Sequence, residues 1–155
     1  MSREQKTIVR ELVSRGDAET EMFGTQLARD LSADDVVYLV GDLGTGKTTF
    51  ARGLARGLGA VAREVASPTF AILHEYAAPG GAIVMRHLDL YRLADRASEL
   101  EVLGLPDAVA GAPVAVEWPG EAIRAALAPT FEVGIREETG SARRIEIRRA
   151  PVRPR

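Results

Sequence analysis

Residues 36–50 read Val36-Val37-Tyr38-Leu39-Val40-Gly41-Asp42-Leu43-Gly44-Thr45-Gly46-Lys47-Thr48-Thr49-Phe50, and this stretch decides the fold. Five apolar residues predict a buried strand. Thr49 to Leu58 predicts a helix with Phe50, Leu54, Ala55 and Leu58 on one side, stopping near Gly57-Leu58-Gly59. Between them, Gly41 to Thr48 fits G-x-x-x-x-G-K-[ST] in the setting that motif requires, strand then glycine loop then helix. The glycines let backbone N–H groups turn inward around an anion. The helix start adds unpaired N–H groups and the positive end of its dipole. Lys47 supplies an ammonium for the outer phosphates, and the Thr48 hydroxyl suits Mg²⁺, whose other ligands are usually waters and substrate phosphates. Asp42, Leu43, Gly44, Thr45, Gly46, Lys47, Thr48 and Thr49 are therefore the candidate nucleotide-binding positions. The alternative is an ordinary strand-to-helix turn, and the eight-residue pattern with both flanks in place argues against it.

Lysine usage points the same way. Lys6 and Lys47 are the only lysines among 20 basic residues. A solvated surface charge here is arginine almost everywhere, whereas a P-loop takes lysine as a compact point charge.

Working outward, residues 6–13 predict a short strand, and Ser14 to Asp17 a turn with Asp17 as helix N-cap. Ala18 to Leu31 predicts an amphipathic helix with Met22, Leu27, Ala28 and Leu31 on one face. After the P-loop helix, Pro68 pushes Ser67 towards an extended conformation. Ala71 to Tyr76 and Ile83 to Leu90 predict strands about the turn Ala77-Ala78-Pro79-Gly80-Gly81. Glu99 to Leu103 suggests a short helix, Pro113 to Val116 a short buried strand, and Ala122 to Leu127 a helix. Phe131 to Arg136 and Arg144 to Arg148 alternate about Thr139-Gly140-Ser141 as a hairpin. Strands and helices alternating around a P-loop imply an α/β domain of the P-loop NTPase type. Its central sheet should be largely parallel, flanked by helices, with antiparallel edge strands from the hairpins. Residues 1–150 form a single domain on this reading, and 151–155 a short Arg/Pro-containing tail.

Composition bounds the chemistry. A chain of 155 residues is long enough for one substantial core, and 46% hydrophobic residues suit a soluble globular domain. No apolar run approaches a membrane span, and the N-terminus has no apolar signal segment. With no Cys there is no disulfide or thiolate chemistry, and two His make a structural zinc site untenable. A cytoplasmic location is expected. The net charge of −2 gives no global nucleic-acid footprint, although Ser141 to Arg155 holds six Arg and one Glu. That run is read as a solvated tail, with contact to nucleic-acid phosphates as the alternative.

A P-loop NTPase needs an acidic residue at the carboxyl end of a second strand, near Mg²⁺. Asp89 follows Ile83-Val84-Met85 and Glu117 follows Val114-Ala115-Val116; by spacing, either carboxylate could face the phosphates, or merely cap a loop. Trp118, the only Trp, is either core or a wall of the nucleotide pocket. Ser67-Pro68-Thr69 is either a proline turn or a switch-like loop with hydroxyls for γ-phosphate or Mg²⁺. His87 reads as a packed or capping histidine. Arg86 and Arg92 lie near Asp89 and are candidates to stabilise a transition state. The chain has no Asn, which excludes an Asn-Lys-x-Asp guanine reader, and its Gln residues, Gln5 and Gln26, both precede the P-loop. ATP is therefore favoured over GTP, with slow hydrolysis by the isolated chain. A small-molecule kinase and a nucleotide-gated binding module that needs no hydrolysis are the competing readings.

Taken together, GDLGTGKTTF (41–50), SPTF (67–70), HLDLYRL (87–93), ELEVLGL (99–105) and VEWP (116–119) resemble, in order and spacing, the TsaE (YjeE) family of bacterial ATPases of tRNA threonylcarbamoyladenosine synthesis. The segment Asp17 to Leu31, with Thr20 and Gly24, is similar to that family's first helix. The resemblance covers about residues 17–149. It implies a Mg²⁺-dependent ATPase, weak alone and stimulated with TsaB and TsaD. That assembly modifies the adenosine next to the anticodon of ANN-decoding tRNAs, and the ATPase acts on the TsaB–TsaD complex without transferring the group; tRNA is reached indirectly, with direct contact left open. By position it implies Thr48 and Glu117 at the metal, and Asp89 and Glu117 as the catalytic carboxylates. It also implies Ser67, Pro68 and Thr69 as the switch-like loop, Trp118 near the nucleotide, Asp17 and Thr20 beside the adenine, and Gly140 as a further contact. The chain departs from the pattern at Gly120, where many members carry an acidic or amide residue.

Overall fold

The computed structural model describes residues 7–61, 64–66, 73–91, 104–105 and 107–151. Strand β1 (Thr7–Ser14) leads into helix α1 (Asp17–Ala28), then strand β2 (Val36–Val40) and helix α2 (Lys47–Gly57). Strands β3 (Glu64–Ala66), β4 (Leu73–Ala77) and β5 (Ile83–Asp89) follow. After a 3-10 turn (Asp107–Val109) come β6 (Val114–Glu117), helix α3 (Glu121–Ala126), and the hairpin β7 (Phe131–Glu137) and β8 (Arg143–Arg149).

The described strands form one sheet in the order β1-β8-β7-β2-β6-β5-β4-β3. Its centre, β7-β2-β6-β5, is parallel, and the strands outside that centre pair antiparallel. This is the expected P-loop NTPase arrangement, with two refinements. The C-terminal hairpin is not itself an edge: β7 pairs with β2 and β1 covers β8. A further short strand, β3, extends the sheet beyond β4. The predicted helix over Glu99 to Leu103 lies outside the described residues. No described helix is long and apolar enough to cross a membrane.

Two apolar layers sandwich the sheet's centre. Val37 and Leu39 of β2 face the α1–α2 side with Phe50, Leu54, Val133 and Ile145. Val36 and Tyr38 face the other side with Val114, Val116, Leu88 and Ile123 of α3. Alternate side chains of a strand point to opposite faces, so a strand buried on both faces reads as an unbroken apolar run. That explains VVYLV and the apolar Val114-Ala115-Val116 of β6. The Tyr38 hydroxyl is satisfied within this layer by the Leu127 carbonyl.

Helix α1 differs from the sequence reading in its buried face. Thr20, Gly24, Leu27 and Ala28 are buried, whereas Met22 is exposed. Beside Leu27 in the core, small residues let α1 and α2 approach backbone to backbone. A Cβ on Gly24 would lie 2.3 Å from the Phe50 carbonyl oxygen, and one on Gly53 would lie 2.1 Å from the Glu21 carbonyl oxygen. Thr25 Oγ1 lies 3.1 Å from the Gly53 carbonyl oxygen it donates to, tying the two helices together. Asp17 is also not the N-cap: that position is Gly16, and Asp17 opens the first turn, where its charge suits the helix dipole.

Candidate nucleotide site

Parallel pairing places the carboxyl ends of β2, β5 and β6 on one edge of the sheet. The register aligns Leu39 with Glu117 and Asp89 with Glu117. Because paired residues point to the same face, Glu117 and Asp89 share the α2 side with Leu39. The chain leaves β2 at Val40 and re-enters a helix at Lys47, so the P-loop arches over this edge.

Gly46 precedes α2 with φ 106°, a left-handed conformation that only glycine adopts readily. The first intrahelical bond runs from Phe50 N to the Gly46 carbonyl. The N–H groups of Lys47, Thr48 and Thr49 therefore have no partner within the helix, and the dipole's positive end adds to them. The Asp42 carbonyl holds the loop together, accepting from Thr45 N at 3.4 Å, Thr45 Oγ1 at 2.9 Å and Lys47 Nζ at 2.7 Å.

Lys47 is 5% exposed. Its ammonium also donates to the Gly41 carbonyl at 2.6 Å and sits 4.4 Å from the centroid of the Trp118 ring. Burial lowers its pKa from the ordinary lysine value, opposed by the negative charges of Glu117, Asp42 and Asp89. Glu117 is 4% exposed. Thr48 Oγ1 donates to its Oε1 at 2.9 Å, and His87 Nε2 lies 3.0 Å from the same oxygen. Burial alone would raise the Glu117 carboxyl. The hydrogen bonds from His87 and Thr48, with the charges of His87 and Lys47, outweigh burial and hold its pKa below the ordinary glutamate value. Asp89 is half-buried, and its Oδ1 accepts from Tyr91 N at 3.2 Å.

These groups surround a cleft of about 320 Å³. Leu43, Gly44, Gly46, Lys47, Thr48 and Thr49 line one side, and Asp89 and Glu117 the floor. Asp17, Tyr91 and Trp118 complete it. Trp118 is thus a wall, not core, and packs at 5.0 Å between ring centroids on Tyr91. Its φ of 59° is rare for a bulky residue, a conformation costing about 1–3 kcal/mol that the surrounding structure must sustain. Behind the Trp118–Tyr91 pair lies a second, larger cleft of about 440 Å³, which takes in Asp42, Pro119, Gly120 and Arg124. The phosphate-binding and acidic groups converge on the smaller one.

Other expected positions fall elsewhere. Thr45 is buried and spends its hydroxyl on the loop. Thr20 does not reach the cleft: it is buried beneath the loop, its Oγ1 2.7 Å from Ser14 Oγ. Gly140, with φ 70°, turns the β7–β8 hairpin and is not among the residues lining the cleft. Arg86 faces away, bound to Glu75 Oε2 at 3.1 Å and the Ala110 carbonyl at 2.8 Å. Ser67, Pro68, Thr69 and Arg92 lie outside the described residues. The partner that sequence reasoning missed is His87. The strand's period of two was the available signal, since it puts His87 on the same face as Asp89.

The donor set fits Mg²⁺. Thr48, Glu117 and Asp89 offer hard oxygen atoms. The described residues hold no cluster of three or more His, Asp or Glu able to bind a metal alone. A cation here would share its ligands with a nucleotide's phosphates, as Mg²⁺ does.

Comparison with known proteins agrees with this fold. The family model for TsaE, threonylcarbamoyl adenosine biosynthesis protein, matches residues 14–145. The tRNA threonylcarbamoyladenosine biosynthesis protein TsaE of Treponema pallidum is 40% identical over 124 residues, covering 79% of this chain and 87% of that protein. The Streptomyces coelicolor protein of the same name is 43% identical over 95 residues, 61% of this chain and 64% of that protein. The Bacillus subtilis one is 45% identical over 101 residues, 64% of this chain and 60% of that protein. The matched segment thus spans less than two thirds of the latter two proteins. The crystal structure of the Bacillus protein YdiB superposes with a TM-score of 0.68 at 27% identity, covering 95% of this chain and 90% of that one. With the family model spanning the P-loop, both carboxylates and most of the sheet, the chain belongs to the TsaE family.

Proposed function

We propose that the chain is a Mg²⁺-dependent ATPase subunit of tRNA threonylcarbamoyladenosine synthesis. It acts on a TsaB–TsaD complex in the cytoplasm and does not itself transfer the threonylcarbamoyl group to the adenosine next to the anticodon of ANN-decoding tRNAs. The observation that carries the ATPase reading is the convergence of Lys47, Thr48, Asp89 and Glu117 on one cleft at the start of α2. The names of the TsaE relatives support the pathway.

On this reading residues 1–150 work as a single ATPase domain, with 151–155 as a tail. The α2 N–H groups and Lys47 bind the phosphates. Lys47 must first release the Gly41 and Asp42 carbonyls, a short side-chain swing. The Thr48 hydroxyl and Glu117 would hold the cation, which would neutralise charge on the nucleotide's outer phosphates. Asp89, two residues beyond His87 on the same face, is the second carboxylate needed for hydrolysis and orients the attacking water. Asp17, among the residues lining the cleft, is the contact assigned to the adenine on this reading. Ser67 to Thr69 act as the switch-like loop.

The deciding experiment is ATP turnover by the purified chain with Mg²⁺, alone and then with cognate TsaB–TsaD. Slow turnover that rises clearly with the partners is expected. ATP binding with no turnover in either condition would leave a nucleotide-gated binding module instead. ADP release only with a small-molecule acceptor, and a phosphorylated product, would make the chain a kinase.

A further inference from the structure

We propose that His87 is a positioning residue for Glu117: it holds the carboxylate in the orientation that completes the cation site. The inference rests on the ATPase reading above and assigns a role to a residue that the P-loop and the two carboxylates do not require.

The geometry begins with strand β5. Its alternate residues Met85, His87 and Asp89 point to the α2 face, while Leu88 points into the opposite layer. Met85 is core and Asp89 reaches the cleft, so His87 sits between them, beneath the site. It is 4% exposed. Its Nε2 lies 3.0 Å from Glu117 Oε1, and the two side chains are about equally buried.

An ionised carboxylate only accepts hydrogen bonds, so with Glu117 charged the Nε2 of His87 carries the proton. That fixes the donor direction and, for a neutral ring, the tautomer. Both hydrogen bonds found for Glu117 among the described residues end on Oε1, one from His87 and one from Thr48. The two donors differ in kind. Thr48 is exposed at the cleft, and its oxygen is itself a candidate ligand for the cation. His87 is buried, on the neighbouring strand, and is not among the described residues lining the cleft. Its contribution therefore passes through Glu117. A buried imidazole donor is stiff, and it fixes the carboxylate plane before any cation arrives. Partners that orient metal ligands in this way typically matter by about 10–100-fold in metal affinity or activity.

The test compares His87→Leu, which keeps approximate shape without a donor, with His87→Gln, whose side-chain amide can donate from nearly the same point. Calorimetry would measure affinity for a non-hydrolysable ATP analogue with and without Mg²⁺, alongside kcat and KM. In His87→Leu, affinity without Mg²⁺ should stay within about twofold of the parent, while the gain on adding Mg²⁺ falls roughly 10-fold or more. kcat should fall and KM for the Mg²⁺ nucleotide should rise in step with the lost gain, and His87→Gln should recover most of both. A His87→Leu variant with the parent's Mg²⁺ gain and kcat overturns the inference. So does a His87→Gln variant as impaired as His87→Leu, because the ring would then matter only for packing. An unmodified chain whose analogue binding gains nothing from Mg²⁺ removes the ATPase reading itself, and the inference with it. If the Leu variant does not fold, ¹⁵N NMR of the parent decides, with His87 assigned against His74. A protonated Nε2 supports the positioning role, and an unprotonated Nε2 ends it.

Discussion

Thr48 and Glu117 stand 69 residues apart in the chain, yet Thr48 Oγ1 donates a 2.9 Å hydrogen bond to Glu117 Oε1. One sits in the first turn of α2 and the other at the end of β6. Their contact joins the two halves of the site, the phosphate-binding loop and the acidic strand end. It exists because β6 lies next to β2 in the sheet and runs parallel to it.

Lys47→Ala should abolish binding of a fluorescent ATP analogue and leave the fold intact. The ammonium is nearly buried, and burial lowers its pKa, so the charged side chain is not there for stability. Thermal unfolding should change by no more than about 1 kcal/mol. Unchanged analogue affinity would remove the P-loop assignment.

Glu117→Ala and Asp89→Ala should each still bind nucleotide, Glu117→Ala without the gain from Mg²⁺, and lose turnover by about 10²-fold or more if both carboxylates act in the chemistry. Single-turnover kinetics with TsaB–TsaD present would measure this. Normal hydrolysis by both variants would mean that the catalytic groups lie elsewhere.

Glu117 also predicts a pH signature in the nucleotide-free protein. Its pKa in the fold is lowered, with the His87 and Thr48 hydrogen bonds outweighing burial. Its ionised form therefore stabilises the fold above the unfolded pKa of about 4.3, and that contribution is lost as pH falls through the lower folded value. Glu117→Gln should cost about 1–3 kcal/mol at pH 7, and the gap to the parent should close towards pH 3. Denaturant unfolding at both pH values checks this, and a gap that widens in acid contradicts the sign.

Gly24→Ala should be more damaging than its small volume suggests. The new methyl would meet the Phe50 carbonyl at 2.3 Å, a backbone atom that cannot step aside. Destabilisation of about 1–3 kcal/mol is expected. Because α2 carries Lys47 and Thr48 in its first turn, analogue affinity should fall as well. Full affinity at reduced stability would show that α2's first turn is insulated from the α1 contact.

Trp118, the only Trp, should report on the site. Lys47 Nζ lies over its ring, and that contact is given up when the ammonium turns to phosphate. Its emission should change on adding the ATP analogue, and Lys47→Ala should alter the spectrum of the nucleotide-free protein. A spectrum insensitive to both changes would place the ring outside the nucleotide's influence.

The local patterns were legible in the sequence. A run of apolar residues, then Gly41 to Thr48, then an amphipathic helix can form little else, because the signals for each element lie within a few residues of one another. The hairpin about Gly80 and the one about Gly140 were visible for the same reason. The placement of Asp89 and Glu117 at strand ends was likewise a matter of counting.

Other features depended on packing across the chain. Met22 looked like part of a buried face, but α1 approaches α2 through Gly24 and Gly53, and close backbone contact leaves no room for a large side chain between them. Thr20, which the resemblance sets beside the adenine, is buried with its hydroxyl against that of Ser14, a pairing no local pattern signals. Trp118 could have been core; its left-handed backbone turns it into the cleft wall, and no local residue pattern signals that conformation. Short-range sterics and periodicity carry the P-loop and the strand-and-helix alternation, and the charged groups can be counted along the chain. Which of those groups meet depends on packing across the whole sheet. Strand order and register bring His87, Glu117 and Thr48 within hydrogen-bond reach, and they are set by burial of both sheet faces together, not by any one segment.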